Sequence, residues 1–268
     1  MCRIVGVSRS AYRKAKEPKT TNSSKPQLDE VLVQKIKALI ERFPTYGYRR
    51  IWVWLRYKLG VTVSKKKVYR IMKLKGWMVR QRKNTPRPRV KKQRSRAQRS
   101  NQRWAMDLTH IYCGADGWAH LAAVIDCHDR EIVGYEFALR GRANEAERAL
   151  EAGCLERFGM VFPKGEQRPT LRSDNGLVFL SRRFRAACKQ YGLKQEYITP
   201  YTPEQNGMIE RFFRSLKEEC VWQHNFAGFS EAQDAVRRWI AFYNEQRPHQ
   251  SLGYLSPKEF REQPLKAA

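Results

Sequence analysis

The chain has 268 residues, 41% hydrophobic and 12% aromatic, enough for one substantial core and a smaller one, so a disordered or fibrous chain is excluded. No apolar run approaches the roughly 20 residues that cross a bilayer, and the opening MCRIVGVSRSAYRKAK lacks the apolar stretch of a secretory signal; a cytoplasmic protein with no membrane partner is expected. The net charge of +27 is held unevenly: residues 1–103 carry 31 Lys and Arg against four acids, whereas residues 104–268 carry 22 of each. That segregation predicts a nucleic-acid-binding arm joined to a near-neutral globular part.

Residues 1–27 read as a basic N-terminal segment and linker, with Ser8 placed to cap a short helix ahead of a polar TTNSSKP stretch. From Leu28 to Phe43, Leu32, Ile36, Leu39, Ile40 and Phe43 recur at helical spacing until Pro44 stops them. YGYRRIWVWLRYKLG predicts a second helix ended by Gly60. Ser64 caps a third, KKKVYRIMKLK, closed by Gly76, with Val68, Ile71, Met72 and Leu74 inward. Trp52, Trp54 and Tyr57 read as core residues. Residues 28–79 thus form a small all-helical unit whose third helix carries Lys65, Lys66, Lys67, Arg70 and Lys73 as candidate DNA contacts. Residues 80–103 hold eleven basic residues and no acid, too few apolar groups for a core. The linker is placed at 80–100, where Arg87, Lys91, Lys92 and Arg94 suit phosphate tracking rather than base reading.

The remainder, 101–265, predicts three strands at 104–112, 118–126 and 131–139, the first two joined across Gly114–Gly117. A helix at 144–158, a short strand in PTLRSD, a helix at 181–191, a strand at 193–198 and a helix bearing Glu210 follow. For that last helix, Thr202 and Pro203 suit the N-cap and first position, with Gln205 completing a capping box. Ile209, Phe212, Phe213, Leu216 and Cys220 make its apolar stripe, and Glu210, Arg214 and Lys217 lie on its flank. Asp126 and Asp129 read as turn formers and Glu204 as a first-turn acid; His110 reads as a surface residue near the site. The six cysteines are scattered without metal-ligand spacing, so buried free thiols are expected rather than zinc or disulfides.

Three acids stand out: Asp107 within a strand, Asp174 after a short apolar run, and Glu210 on a helix with thirty-five residues between it and Asp174. Carboxylates brought together repel unless hard divalent cations lie among them, and a pair of such cations suits phosphoryl transfer on nucleic acid. The stretches SNQRWAMDLTHI, LRSDNGLVF, TPYTPEQNGMIERFFRSLKEEC and YNEQRPHQSLGYLSPKEF, with Lys217 seven residues after Glu210, resemble the OrfB transposase of bacterial insertion sequences, a DDE transposase with a retroviral-integrase-like core. The resemblance runs in order over almost the whole chain.

It implies a ribonuclease H-like α/β core with a mixed five-stranded sheet, preceded by a helix-turn-helix-like domain, with the first and fourth strands side by side so that Asp107 lies against Asp174. It implies that Asp107, Asp174 and Glu210 are catalytic and bind two Mg²⁺ ions, Mn²⁺ substituting, and that Arg214 and Lys217 contact DNA. Water would cut at the element's end and the freed 3′-hydroxyl would attack another strand. Partners implied are DNA ends and target, a homo-oligomer on DNA, and an upstream reading frame supplied separately or by fusion, so that the start of this chain is an internal one. Tyr243, Asn244, Arg247, Pro248 and His249 match the family's closing motif, for which packing against the core is the expected role. The zinc domain of retroviral integrases has no counterpart. Two alternatives stay open: a nuclease of the same fold that cuts without joining, and a non-catalytic DNA-binding derivative of a transposase.

Overall fold

The computed structural model describes residues 29–79, 97–160, 168–199 and 205–263. Ser8, Arg87, Lys91, Lys92, Arg94, Thr202, Pro203 and Glu204 lie outside them. Among the described residues, no helix is long and apolar enough to cross a membrane.

The helical part comprises α1 (Glu30–Arg42), α2 (Tyr48–Val53) and α3 (Lys65–Leu74). Asp29 and Ser64 cap α1 and α3 by accepting from the N–H groups of Leu32 and Lys67, which satisfies donors that the first turns leave unpaired. The second helix departs from expectation: after Val53 it widens into a π turn, Trp54–Lys58, before Gly60 at φ 64° ends it. A small core of Ile36, Ile51, Leu55, Val68, Ile71 and Met72 holds the three together. Leu74, expected inward, is 58% exposed because it falls on the last turn of α3, beyond the reach of α1 and α2. Trp54 is buried as expected and Trp52 half-buried, but Tyr57 is exposed.

The second part is a mixed sheet of β1 (Arg103–Tyr112), β2 (Trp118–Asp126), β3 (Ile132–Ala138), β4 (Thr170–Ser173) and β5 (Lys194–Tyr197), in the order β3-β2-β1-β4-β5. β1–β2 and β2–β3 are antiparallel; β1–β4 and β4–β5 are parallel. One face carries Trp104, Met106, Ala122 and Val124, covered by α4 (Ala143–Phe158) with α5 (Leu177–Leu180) and α6 (Arg182–Gln190). The other carries Ala105, Ile111, Leu121, Ala123 and Ile125, covered by α7 (Gly207–Glu219) and α8 (Phe229–Glu245); α9 (Pro257–Arg261) follows. Gly134 is the contact that lets α4 lie close on β3: a Cβ there would meet Ala149 O at 2.2 Å and Gly153 N at 2.4 Å.

The helix expected at 181–191 is α6, capped by Ser181, whose hydroxyl accepts from Phe184 N–H; the one-turn α5 ahead of it has no counterpart in the sequence reading. The helix carrying Glu210 starts later than its signals suggest, at Gly207 after Asn206. Thr202, the other half of the expected capping box, lies outside the described residues; the Gln205 side chain accepts from Thr199 N–H at 2.9 Å and donates to Thr199 Oγ1 at 3.3 Å. The stripe of Ile209, Phe212, Phe213, Leu216 and Cys220 is buried against the sheet and α8. Cys113, Cys127, Cys154, Cys188 and Cys220 are free and buried; Cys2 lies outside the described residues.

Candidate active site

Asp107 lies mid-strand on β1, opposite Ala123 of β2, on the face that α7 covers. The parallel pairing of β1 with β4 ends at Ala105 and Arg172, and continuing that register two residues brings Asp107 level with Asp174 just past the end of β4. Side chains alternate along a strand, so both carboxylates leave the sheet on that same face. Glu210 lies in the first turn of α7. The topology therefore gathers three acids that are far apart in sequence at one end of the β1–β4 pair.

Their proximity is visible in their charge. Burial first, then the carboxylates of Asp174 and Glu210, push the Asp107 carboxyl up to about 6, against the opposing pull of the Leu108 N–H that it accepts at 2.8 Å. Asp174 uses Oδ1 to accept from Gly176 N–H at 2.9 Å. A Cβ on Gly176 would stand 2.9 Å from that oxygen, which accounts for the glycine in the SDNG turn. Asp107 and Asp174 each keep Oδ2 without a hydrogen-bond partner among the described residues. Asn206, buried one turn ahead of Glu210, likewise has an Oδ1 with no partner there.

Among the described residues, no three Asp, Glu, His or Cys side chains stand close enough as they are to ligate one ion. Like charges lacking a counter-cation repel, and two of these three have each turned one oxygen onto a neighbouring N–H. The donor set still fits a hard divalent cation: it is all oxygen, it retains an open oxygen on Asp107 and Asp174, and it carries a proton affinity that a cation would relieve.

Asp126 and Asp129 make the opposite case. Asp126 accepts from the N–H groups of Asn101 and His128, both at 2.7 Å, and from Trp104 Nε1; Asp129 accepts from Ser100 Oγ, Glu131 N–H and the buried Arg157. Their oxygens are consumed in anchoring the β2–β3 turn to the segment entering β1, which extends the turn-forming role read from sequence. His110 is exposed, its ring 4.7 Å from that of His120.

The candidate DNA contacts divide. On α3, Lys66, Arg70 and Lys73 recur at i, i+4 and i+7 as one exposed stripe with no ion pair among the described residues. Lys65 and Lys67 are also exposed, but each contacts another part of the fold. Lys65 lies over the Trp52 ring at 4.7 Å, and Lys67 pairs with Asp29, the cap of α1, at 3.1 Å. On α7, Arg214 pairs with Glu218 at 2.9 Å, whereas Lys217 has no carboxylate partner among the described residues.

The closing motif packs, as expected, and what it packs joins the two parts of the molecule. Asn244 accepts from Ile132 N–H and donates to Ile132 O, both at 2.9 Å. Arg247 donates through Nε and Nη2 to Glu219 at 2.7 Å, and Arg50 of α2 donates to the same carboxylate at 2.9 Å. Burial, followed by the charge of Arg247, pushes the His249 imidazole down to about 2, so it stays neutral against that cluster. Phe43 stacks on Phe242 at 5.5 Å across the same seam. Arg50 and Glu219, together with Arg172 of β4, do not stand out in the sequence. A charged residue next to Leu171 in a short buried strand was the available signal for Arg172.

Comparison with known proteins bears on the family and the fold. Family models described as "Integrase core domain" match residues 97–203 and 191–257, and one described as "HTH-like domain" matches residues 27–85. The chain is 30% identical over 262 residues, 97% of its length and 70% of the relative's, to the "Insertion element IS476 uncharacterized 39.2 kDa protein" of Xanthomonas euvesicatoria. It is 28% identical over 241 residues, 88% of its length and 79% of the relative's, to the transposase InsD for insertion element IS2 of Escherichia coli. Among solved structures, the cryo-EM structure of the simian T-cell lymphotropic virus intasome in complex with PP2A regulatory subunit B56 gamma superposes with a TM-score of 0.55 at 18% identity, covering 87% of this chain and 76% of the other; that likeness concerns the fold. With a helix-turn-helix-like segment ahead of an integrase core, and relatives matched over most of both lengths, the chain belongs to the transposases of bacterial insertion sequences.

Proposed function

We propose that this transposase cuts DNA at the ends of an insertion sequence and joins the freed ends to a second strand, with Asp107, Asp174 and Glu210 as its catalytic carboxylates. The observation that carries the reading is the convergence of three acids from β1, the end of β4 and α7, near enough that the carboxylates of Asp174 and Glu210 add to the burial that raises the Asp107 carboxyl. These carboxylates would hold Mg²⁺ or Mn²⁺, two ions in the full site, which supply Lewis-acid stabilisation of the attacking and leaving oxygens of a phosphodiester.

The chain's own residues bind and orient. Lys66, Arg70 and Lys73, aided by Lys65 and Lys67, hold the element end. Arg87, Lys91, Lys92 and Arg94 follow the phosphate backbone between residues 28–79 and 101–265, taken as the DNA-binding and catalytic units. Lys217 and Arg214 meet phosphates beside Glu210. In the first reaction a water oxygen bonds to phosphorus and the 3′ oxygen leaves with a proton; in the second that 3′-hydroxyl bonds to the phosphorus of another strand, whose own 3′ oxygen leaves. No bond to the protein forms. A homo-oligomer pairs two ends, with an upstream reading-frame product as a further partner.

Incubating the full chain and Mg²⁺ with DNA carrying the element's ends should yield cleaved and joined products. Asp107→Asn, Asp174→Asn and Glu210→Gln should each abolish both while leaving DNA binding near wild type. Cleavage without joining would favour the nuclease alternative, and a variant that keeps turnover removes its residue from the site.

A further inference from the structure

Arg172 is 5% exposed and lies two residues before Asp174, facing α7 like Asp107. Burying a guanidinium is costly unless its donors are all engaged, and here every nitrogen is. Nη2 donates to both carboxylate oxygens of Glu196 at 3.1 Å and Nε to one of them at 3.3 Å, while Nη1 donates to the main-chain oxygen of Gln205 at 2.9 Å. Glu196 is the register partner of Arg172 on β5 and also accepts from Arg103 Nε at 3.1 Å.

The Gln205 contact spans two elements. The Gln205 carbonyl precedes the N-cap of α7, and its donor is the Arg172 guanidinium rather than a helical N–H. Asn206, the next residue, has its own oxygen accepting from Glu210 N–H at 3.3 Å. One guanidinium is therefore fixed to β4 and β5 on one side and to the start of the Glu210 helix on the other. The apolar stripe of α7 sets which face meets the sheet, but a greasy contact tolerates sliding along the helix axis. A directional bond at the helix start does not.

We propose that Arg172 is a positioning residue that sets the separation of Asp174 from Glu210 by holding the start of α7 against β4. This rests on the reading of those carboxylates as the divalent-cation site. A lysine there offers one ammonium and cannot serve Glu196 and Gln205 O together, so Arg172→Lys should leave the two carboxylates present but misplaced.

The test is Mn²⁺ binding to the full chain, followed by loss of the free-ion paramagnetic signal, with thermal unfolding in parallel. Variants are Arg172→Lys, Glu196→Gln, Arg103→Gln and Glu210→Gln. Wild type should bind Mn²⁺ and Glu210→Gln should lose most of that binding. Arg172→Lys should weaken binding about 10-fold, the low end for residues supporting metal ligands. The Mg²⁺ concentration for half-maximal cleavage should rise by a similar factor, with turnover at saturating Mg²⁺ much less affected. Glu196→Gln, on a half-exposed edge strand, retains an acceptor but loosens the clamp and should show a smaller loss even if the lysine variant fails to fold. Arg103→Gln takes a donor from Glu196 but leaves the Arg172 bond to Gln205 O in place, and should bind as wild type. Wild-type affinity in Arg172→Lys or, should that variant not fold, in Glu196→Gln would overturn the inference, as would an equal loss in Arg103→Gln. If Glu210→Gln binds like wild type, the carboxylate reading itself has failed and the inference falls with it.

Discussion

Replacing Asp107 with Asn should abolish catalysis and yet stabilise the metal-free protein. In the folded chain this carboxyl titrates at about 6 instead of 3.8, burial contributing most and Asp174 and Glu210 adding to it. At about 1.4 kcal/mol for each tenfold change in proton affinity, holding it ionised near neutral pH costs about 3 kcal/mol. Asparagine fills the same space without charge, and its Oδ1 can still accept from Leu108 N–H, so most of that cost should vanish. Because the folded-state value lies above the unfolded one, the cost is absent below about pH 4, grows as pH rises from about 4 to 6, and is constant beyond. The assay is thermal unfolding of wild type and Asp107→Asn in EDTA across that range. About 3 kcal/mol corresponds to a midpoint roughly 6 to 10 °C higher for the variant at about pH 7.5, shrinking to nothing at about pH 4. Saturating Mg²⁺ should close the gap, since only the wild type gains from binding it. A variant that unfolds at or below the wild-type midpoint at neutral pH in EDTA would refute the electrostatic reasoning, whatever its activity.

Changing Lys66, Arg70 and Lys73 together to Ala should weaken DNA binding and reduce the slope of log affinity against log salt by up to about 0.9 for each phosphate that is no longer neutralised, read by anisotropy titrations at several salt concentrations. Changing Lys65 and Lys67 should alter that slope less and lower the unfolding midpoint instead, because Lys65 covers Trp52 and Lys67 ties α3 to the cap of α1. Gly176→Ala should reduce cleavage at limiting Mg²⁺ by about 10-fold, because the new methyl displaces the Asp174 carboxylate, while far-ultraviolet dichroism stays unchanged.

The candidate carboxylate trio is legible because each acid sits in a short stretch with its own local signature, and the sheet order then brings the stretches together. Element types along the core follow from apolar periodicity, which reports burial directly. The start of α7 misleads because Thr202, Pro203 and Gln205 carry N-terminal chemistry while Gln205 is claimed by Thr199 and Arg172, contacts that exist only once β4 and β5 are in place. Leu74 misleads for a related reason: periodicity marks a face, but only a neighbour can cover it. Arg50, Glu219 and Arg247 could not be paired from sequence, since the first partner is 169 residues from the second. Lys65 and Lys67 looked equivalent to Lys66 because a run of three lysines wraps most of a turn, and only the positions of Trp52 and Asp29 separate them.

Glu219 shares α7 with Glu210 and takes one arginine from α2 and one from the segment after α8. The helical unit is therefore not an interchangeable attachment. A unit borrowed from another element would have to bring its own cation to the place of Arg50 and its own ring to the place of Phe43, or leave a buried carboxylate with half its compensation and Phe242 uncovered. Divergence in what the front of such a chain grips is thus free on the outer stripe of α3 and constrained along the seam, so drift in the two surfaces should proceed at different rates within one small unit.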